Sequence, residues 1–390
     1  MKTGIAALVI AYVFSQFYRA FLAVLTPDLA ADLGASAEQL ARASGLWFLV
    51  FAAMQIPVGA ALDRIGPKIT VVTLFLIGGV GGALVFAYAQ TPAHISFAMG
   101  MIGLGCSPVL MASYYIFARV YSPAVFATLA GATIGIGSLG NLLGSAPLAW
   151  AAEAYGWRTT MIGLAALSMG VVGLLFACVK DPPRIETKTR GSVLDVLKIP
   201  ALWPIFILVT FAYAPSAGIR GLWVGPYMID VFAANAQQIG TATLIMSVAM
   251  ILGSFLYGPL DRVLGTRKWV VFAGNTIGLM ALLTLTQLLD WNMWLSAFLL
   301  AAVGLTGASF PVIVAHGKAF LPAHLTGRGV TLLNLFGIGG AGLMQFVTGR
   351  LNANHAAQAS ADLYALLFYT FAATLCLGLI AYLFAPDRTD

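Results

Sequence analysis

The chain of 390 residues is 60% hydrophobic and only 9% charged, with 20 Lys and Arg against 14 Asp and Glu, and its mean hydropathy is +0.93. A soluble domain of ordinary composition carries roughly 25% charged residues. So few charges cannot cover a soluble globule of this size, which excludes a disordered chain, a nucleic-acid binder and a soluble enzyme. What remains is a polytopic membrane protein, whose length accommodates about twelve helices at roughly 20–25 residues each.

Apolar runs bounded by turn residues and charges predict spans near 4–27, 40–61, 69–90, 95–119, 124–150 and 158–179. A second set runs near 201–229, 237–260, 268–289, 292–320, 328–350 and 361–385. The first run is too long for a signal peptide, lacks a small-residue cleavage site and contains Arg19, so it reads as an uncleaved helix. Residues 180–200, KDPPRIETKTRGSVLDVLKIP, hold eight of the charges and read as a linker. The expected organisation is an all-α membrane protein of two pseudo-symmetric six-helix bundles, 1–179 and 201–390, joined by a cytoplasmic linker. With the N-terminus inside, fourteen Lys and Arg fall on the cytoplasmic side and only Arg42, Arg158 and Arg350 on the other. Positive charge accumulates on the cytoplasmic side of membrane proteins, which predicts both termini in the cytoplasm. Cys106, Cys178 and Cys376 lie far apart in apolar runs and read as small core residues.

The two halves repeat. GAALDRIGPK at 59–68 follows the second span, and GPLDRVLGTRK at 258–268 follows the eighth. PVLMA at 108–112 in the fourth matches PVIVA at 311–315 in the tenth. Glycine-rich stretches follow both, GATIGIGSLGNLLG at 131–144 and LLNLFGIGGAGLMQ at 332–345. Small residues at three- and four-residue spacing let helices approach closely. We expect the first stripe to make a smooth contact between helices of opposite halves.

These residues resemble the major facilitator superfamily, whose signature is a G-x-x-x-D-R-x-G-R/K-like loop between helices two and three with a weaker copy between eight and nine. Gly59, Asp63, Arg64, Gly66 and Lys68 match the first copy, and Asp261 and Arg262 the second. The resemblance implies two rocking six-helix bundles of the inner membrane, with these residues as a conformational latch; the plainer alternative is that Asp63 only shapes a short turn. YRAFLAVLTPDLAADLG at 18–34, QIPVGAALDRIGPK at 55–68 and AYGWR at 154–158 are similar to the anion:cation symporter branch, which handles organic anions. Such transporters carry an arginine in helix one, and some organophosphate antiporters a second in helix seven. Arg19 and Arg220 fit that pattern. Members of the branch often use a helix-four glutamate for proton coupling, whereas Cys106, Ser107 and Pro108 stand in that part of this chain. That departure favours exchange or facilitated diffusion, or coupling through His316.

An arginine in a membrane helix costs roughly 2.5–3.5 kcal/mol on insertion scales, so it marks an interior cavity or pathway. Three candidates exist: Arg19, Arg220 and Lys318. No Asp or Glu accompanies them deep in a span. An anionic ligand would neutralise the two guanidiniums, whose planar fork bonds two oxygens of a carboxylate, phosphate or sulfonate at once. The alternative for each arginine is satisfaction by helix carbonyls or a terminal acid. Lys318 alternatively snorkels to the interface. His316 is either a proton-coupled group or a packed hydrogen-bonder. Tyr18, Tyr114, Tyr115, Tyr213, Asn141 and Asn334 are candidate contacts that orient the anion's remaining oxygens, against packing as the alternative. Trp223 and Tyr227 follow Arg220 at helical spacing and are candidates for an outer wall.

The expected function is therefore transport of a small anion (carboxylate, phosphate, sulfonate or nitrate-like) by alternating access, with a coupling proton or counter-anion left open. A second reading takes Met246 and Met250, one turn apart, as soft ligands for Cu(I) import, with packing as their alternative. An aromatic vitamin-like solute and a non-transporting membrane receptor are further readings. We expect a monomer in the lipid bilayer with no cofactor, no metal, no nucleic-acid partner and no enzymatic activity.

Overall fold

The structure is a computed structural model that describes residues 2–121, 123–183, 193–322, 325–355 and 360–388. The side chains of Asp261 and Arg262, and linker residues 184–192, lie outside the described residues. The described secondary structure is helical throughout, with no strand.

Twelve helices are long and apolar enough to cross a membrane. They are α1 Thr3–Ala23, α2 Ala37–Arg64, α3 Pro67–Ala87, α4 Pro92–Val120, α5 Leu129–Tyr155 and α6 Trp157–Cys178. The second set is α7 Pro200–Phe232, α8 Ala236–Tyr257, α9 Lys268–Gln287, α10 Met293–Lys318, α11 Arg328–Asn354 and α12 Ala361–Tyr382. Each overlaps one predicted span. The chain divides into two compact units, residues 1–186 with 235–241, and residues 187–234 with 242–390. In the first unit α1 packs on α4, α5 and α6; in the second α7 packs on α10, α11 and α12.

Local chemistry repeats between the halves. Ser36 and Gln39 form a capping box at the start of α2, each side chain accepting the other's backbone N–H. Asn235 and Gln238 do the same at the start of α8, 199 residues later, with both N···O distances 2.9 Å. Such reciprocal caps satisfy two donors that a helix start leaves open. Just before these caps the backbone turns left-handed at Gly34 (φ 61°) and at Ala233 (φ 51°), again 199 residues apart. At the far ends of α1 and α7 the chain is tied to the sixth helix of its own half. Trp157 Nε1 donates to Asp32 at 2.8 Å, and the Tyr364 hydroxyl donates to Asp230 at 2.6 Å.

The glycine stripe corrects one expectation. Gly137 lies against the Tyr12 ring and Gly140 against the Val13 carbonyl, both on α1 of the same half. A Cβ at Gly140 would collide with that backbone. Gly340 meets the Thr210 carbonyl of α7 in the same way. These residues bring α5 onto α1 and α11 onto α7 within each bundle, while nothing lies within 4 Å of a Cβ built on Gly131 or Gly135.

Candidate functional site

Arg19 sits in the last turn of the α-helical part of α1, Lys2–Ala20, just before a 3-10 turn at Phe21–Ala23. It is half-buried. Its guanidinium carbon lies 5.2 Å from the Trp47 ring centroid and 5.3 Å from that of Phe51, both on α2. The two rings stack at 5.1 Å with 17° between their planes. They form a platform under the cation, an arrangement that attracts arginine through the ring quadrupole. Gln16, one turn before Arg19, is buried. Cys106 of α4 lies beside Ser15 and close to Arg19.

Arg220 is 1% exposed and lies inside a π-turn, Ile219–Trp223, in the middle of α7. A π-turn disturbs the regular backbone ladder and often marks a functional site. The Gly218 carbonyl accepts from Gln345 Nε2 of α11 at 3.0 Å. Trp223 Nε1 donates to the Thr348 hydroxyl at 2.9 Å. Arg220 is thus held between two cross-links to α11. Tyr213, two turns earlier, is buried with its ring 5.0 Å from Phe310 of α10.

A duplicated pattern links the two arginines, and the reading of single residues missed it. Tyr12, Ser15 and Arg19 recur as Tyr213, Ser216 and Arg220, a Y-x-x-S-x-x-x-R string repeated 201 residues later. Both serines are buried. Ser15 lies beside Cys106, and Ser216 lies against Gly307 of α10, which is 201 residues after Cys106. The string was legible, at an offset between that of the repeated loops (Asp63 to Asp261) and that of PVLMA and PVIVA (Pro108 to Pro311).

Several predicted contacts are engaged elsewhere. Tyr18 is fully buried, with its hydroxyl 3.0 Å from Ser168 of α6, because a one-residue step on a helix turns it about 100° from Arg19. The Tyr115 ring lies under the Arg119 guanidinium at 4.2 Å, near the end of α4. His316 is fully buried, with Nδ1 2.6 Å from the Tyr382 hydroxyl and Nε2 3.0 Å from the Pro386 carbonyl. Both of its ring nitrogens are thus engaged within its own half. Lys318 is exposed at the end of its helix. Trp223 and Tyr227 are also committed within their half, Tyr227 to the Leu289 carbonyl at 2.6 Å. Met246 and Met250 both pack on Gly304 of α10. Asn141 is buried on α5, and Tyr114 and Asn334 are half-buried on α4 and α11.

At the arginine-rich end, Asp63 pairs with Arg119 Nη2 at 3.5 Å. Arg64 is exposed, Lys68 lies 4.6 Å over the Phe176 ring, and a Cβ built on Gly59 would meet nothing within 4 Å. Gly66 has φ 111° and its counterpart Gly265 has φ 63°. The start of α3 is capped from a distance: Lys68 N donates to Asp181 at 2.7 Å. Asp387 does the same for α9, accepting from Lys268 N at 2.9 Å, Arg267 N at 3.2 Å and the Thr266 hydroxyl. Partial burial opposes the Asp387 charge, but these hydrogen bonds hold its carboxyl below the usual carboxylate range. At the opposite end, burial and the neighbouring Asp32 push the Asp28 carboxyl up.

The Major Facilitator Superfamily model matches residues 8–219. The chain is 24% identical to the probable sulfoacetate transporter of Cupriavidus necator, over 65% of this chain and 63% of that protein. It is 23% identical to a candidate tartrate transporter of Agrobacterium vitis, over 84% of this chain and 80% of that one. Among solved structures, the D-xylose–proton symporter superposes with a TM-score of 0.80 at 14% identity, covering 98% of both chains. Twelve apolar helices, the duplicated loop motif and the match over more than half its length agree: the chain belongs to the Major Facilitator Superfamily, a family of multi-pass membrane transporters of small molecules.

Proposed function

We propose that the chain carries a small organic anion across the cytoplasmic membrane by alternating access, with Arg19 and Arg220 as its anion-binding groups. The observation that carries this reading is the duplicated Y-x-x-S-x-x-x-R string. It puts one arginine in the first helix of each half, each next to an irregular turn. Broken helices at the binding site are the common plan of transporters built from repeats. Among the described residues, the acidic side chains stand near the ends of spans, which leaves the interiors positive. The names of the relatives, sulfoacetate and tartrate, support carboxylate or sulfonate as the charged group.

Tyr114, Tyr213, Asn141 and Asn334 stand as secondary polar contacts in this reading. Asp63, Arg64 and Lys68, with Asp261 and Arg262 in the second copy, form the latch, and both termini lie in the cytoplasm. With Cys106 near Arg19 and both ring nitrogens of His316 engaged, exchange or facilitated diffusion is favoured over proton symport.

The test is counterflow of sulfoacetate and tartrate in proteoliposomes. Each hydrogen bond to a charged group contributes about 1.5–3 kcal/mol, so Arg19→Ala and Arg220→Ala should each weaken binding by roughly ten- to a hundredfold. Normal affinity for a transported anion in both variants would overturn the reading.

A further inference from the structure

The platform beneath Arg19 carries a second polar feature. Trp47 is 1% exposed, yet its indole Nε1–H has no hydrogen-bond partner among the described residues. Its ring face is occupied by the Arg19 guanidinium and its other neighbours include Phe51 and Phe48, which offer no acceptor. Gln16 is 8% exposed, and its carbonyl oxygen Oε1 also has no partner. Gln16 and Arg19 are three residues apart on one helix, so their Cβ atoms lie about 5–6 Å apart. Buried polar groups in native proteins are nearly always paired, and an exception calls for an explanation. Here a donor and an acceptor stand open around one cation.

We infer that the N-terminal half selects a hydroxylated organic acid: the carboxylate takes hydrogen bonds from Arg19 and Trp47 Nε1–H, and an adjacent hydroxyl donates to Gln16 Oε1. The inference rests on Arg19 being an anion-binding group. It adds two specificity residues and narrows the substrate to an α-hydroxy acid. The chemistry is complementary in each part. A carboxylate has lone pairs for more donors than one guanidinium fork supplies. A hydroxyl is a neutral donor that can give a hydrogen bond to an amide carbonyl oxygen beside a cation, with no charge for the cation to repel. A site built to bond a hydroxyl rejects an analogue lacking it, because the acceptor is then left buried and unpaired.

The experiment compares tartrate with succinate, the same four-carbon dicarboxylate without hydroxyls, and with sulfoacetate, by binding to the purified full chain. The wild type should bind tartrate roughly tenfold more tightly than succinate. Gln16→Leu should remove that preference by weakening tartrate and leaving succinate unchanged. Trp47→Phe keeps an aromatic face under Arg19 but removes the N–H together with part of the ring, so it should weaken tartrate and succinate alike, by roughly tenfold. Removing an orphan donor from a merely structural indole would not weaken anion binding, so unchanged affinities in Trp47→Phe overturn its role. Equal wild-type affinity for tartrate and succinate overturns the hydroxyl selection, as does a Gln16→Leu effect of the same size on both. Binding of sulfoacetate without tartrate leaves the anion reading standing and sinks this inference. Normal tartrate binding by Arg19→Ala, or no anion binding by the wild type, sinks both.

Discussion

Arg220→Met separates a functional arginine from a structural one. The side chain is 1% exposed within an apolar helix. The insertion-scale cost of a central arginine is about 2.5–3.5 kcal/mol. Replacing a buried ion pair whole by well-packed apolar groups of similar volume is often neutral or stabilising by about 1–4 kcal/mol, so a buried charge is not needed for stability as such. Methionine adapts to irregular space, and the cross-links that hold the π-turn, Gln345 to Gly218 and Trp223 to Thr348, do not involve the residue-220 side chain. Relieved of that insertion cost, ligand-free Arg220→Met should be more stable than the wild type by about 1–3 kcal/mol. For a unit of about 200 residues that is a rise of roughly 2–12 °C in apparent Tm. The same variant should lose the further rise that a bound anion gives, since stabilisation by ligand follows its affinity. Arg220→Lys keeps the charge but loses the fork, so it should gain no ligand-free stability and bind weakly. The assay is thermal unfolding in detergent, with and without sulfoacetate or tartrate. A Met variant that melts lower than wild type and keeps its ligand-induced shift would show that Arg220 holds the helix together, and the reasoning would fail.

Three further outcomes follow from the structure. Loss of a helix cap costs about 1 kcal/mol, so Asp181→Ala should speed amide exchange about fivefold at the start of α3, and Asp387→Ala at the start of α9, as read by mass spectrometry. The Asp387 contribution is fully present above the unfolded carboxylate pKa near 3.9 and is lost as pH falls through its depressed folded value. Asp28 has the opposite sign: its raised pKa makes its stabilising contribution full below the unfolded value and lost as pH rises through the folded one. Asp28→Asn should raise the melting temperature at pH 7 and leave it unchanged below about pH 4, near the unfolded carboxylate pKa. Ala233 pays for a left-handed backbone, at φ 51°, where an L-residue costs roughly 1–2 kcal/mol; Ala233→Gly recovers part of this, net of about 0.4–1 kcal/mol of unfolded-chain entropy, and a lower melting temperature would contradict it.

The architecture was legible because its cause is one-dimensional. Apolar run length gives the spans, and the repeated DR loops and PVLMA/PVIVA pair give the duplication. Arg19 and Arg220 were legible for the same reason, as rare charges in apolar text. Side-chain direction was not. Tyr18, Tyr115 and His316 sit at plausible heights along their helices, but each faces a partner inside its own half: Ser168, Arg119 and Tyr382. Facing depends on helix phase, which the length of an apolar run does not report: a single residue turns Tyr18 about 100° away from Arg19. The caps on α3 and α9 were hidden by distance, since Asp181 and Asp387 act on residues 113 and 119 positions away. The platform of Trp47 and Phe51 read as ordinary apolar content of the second span until Arg19 was found lying over it.

The twin caps bear on how such a chain can be divided. Asp181 fastens the exit of the sixth helix to the third, and Asp387 fastens the exit of the twelfth to the ninth. Each half therefore ties the exit of its last helix to itself, the first half through Asp181 at the very start of the connecting segment. A chain cut after that anchor leaves no loose helix terminus on the first half. Two genes, each encoding one six-helix half, could then replace one. A split placed after Asp181 keeps the start of α3 capped from within the first half, just as Asp387 caps α9 from within the second.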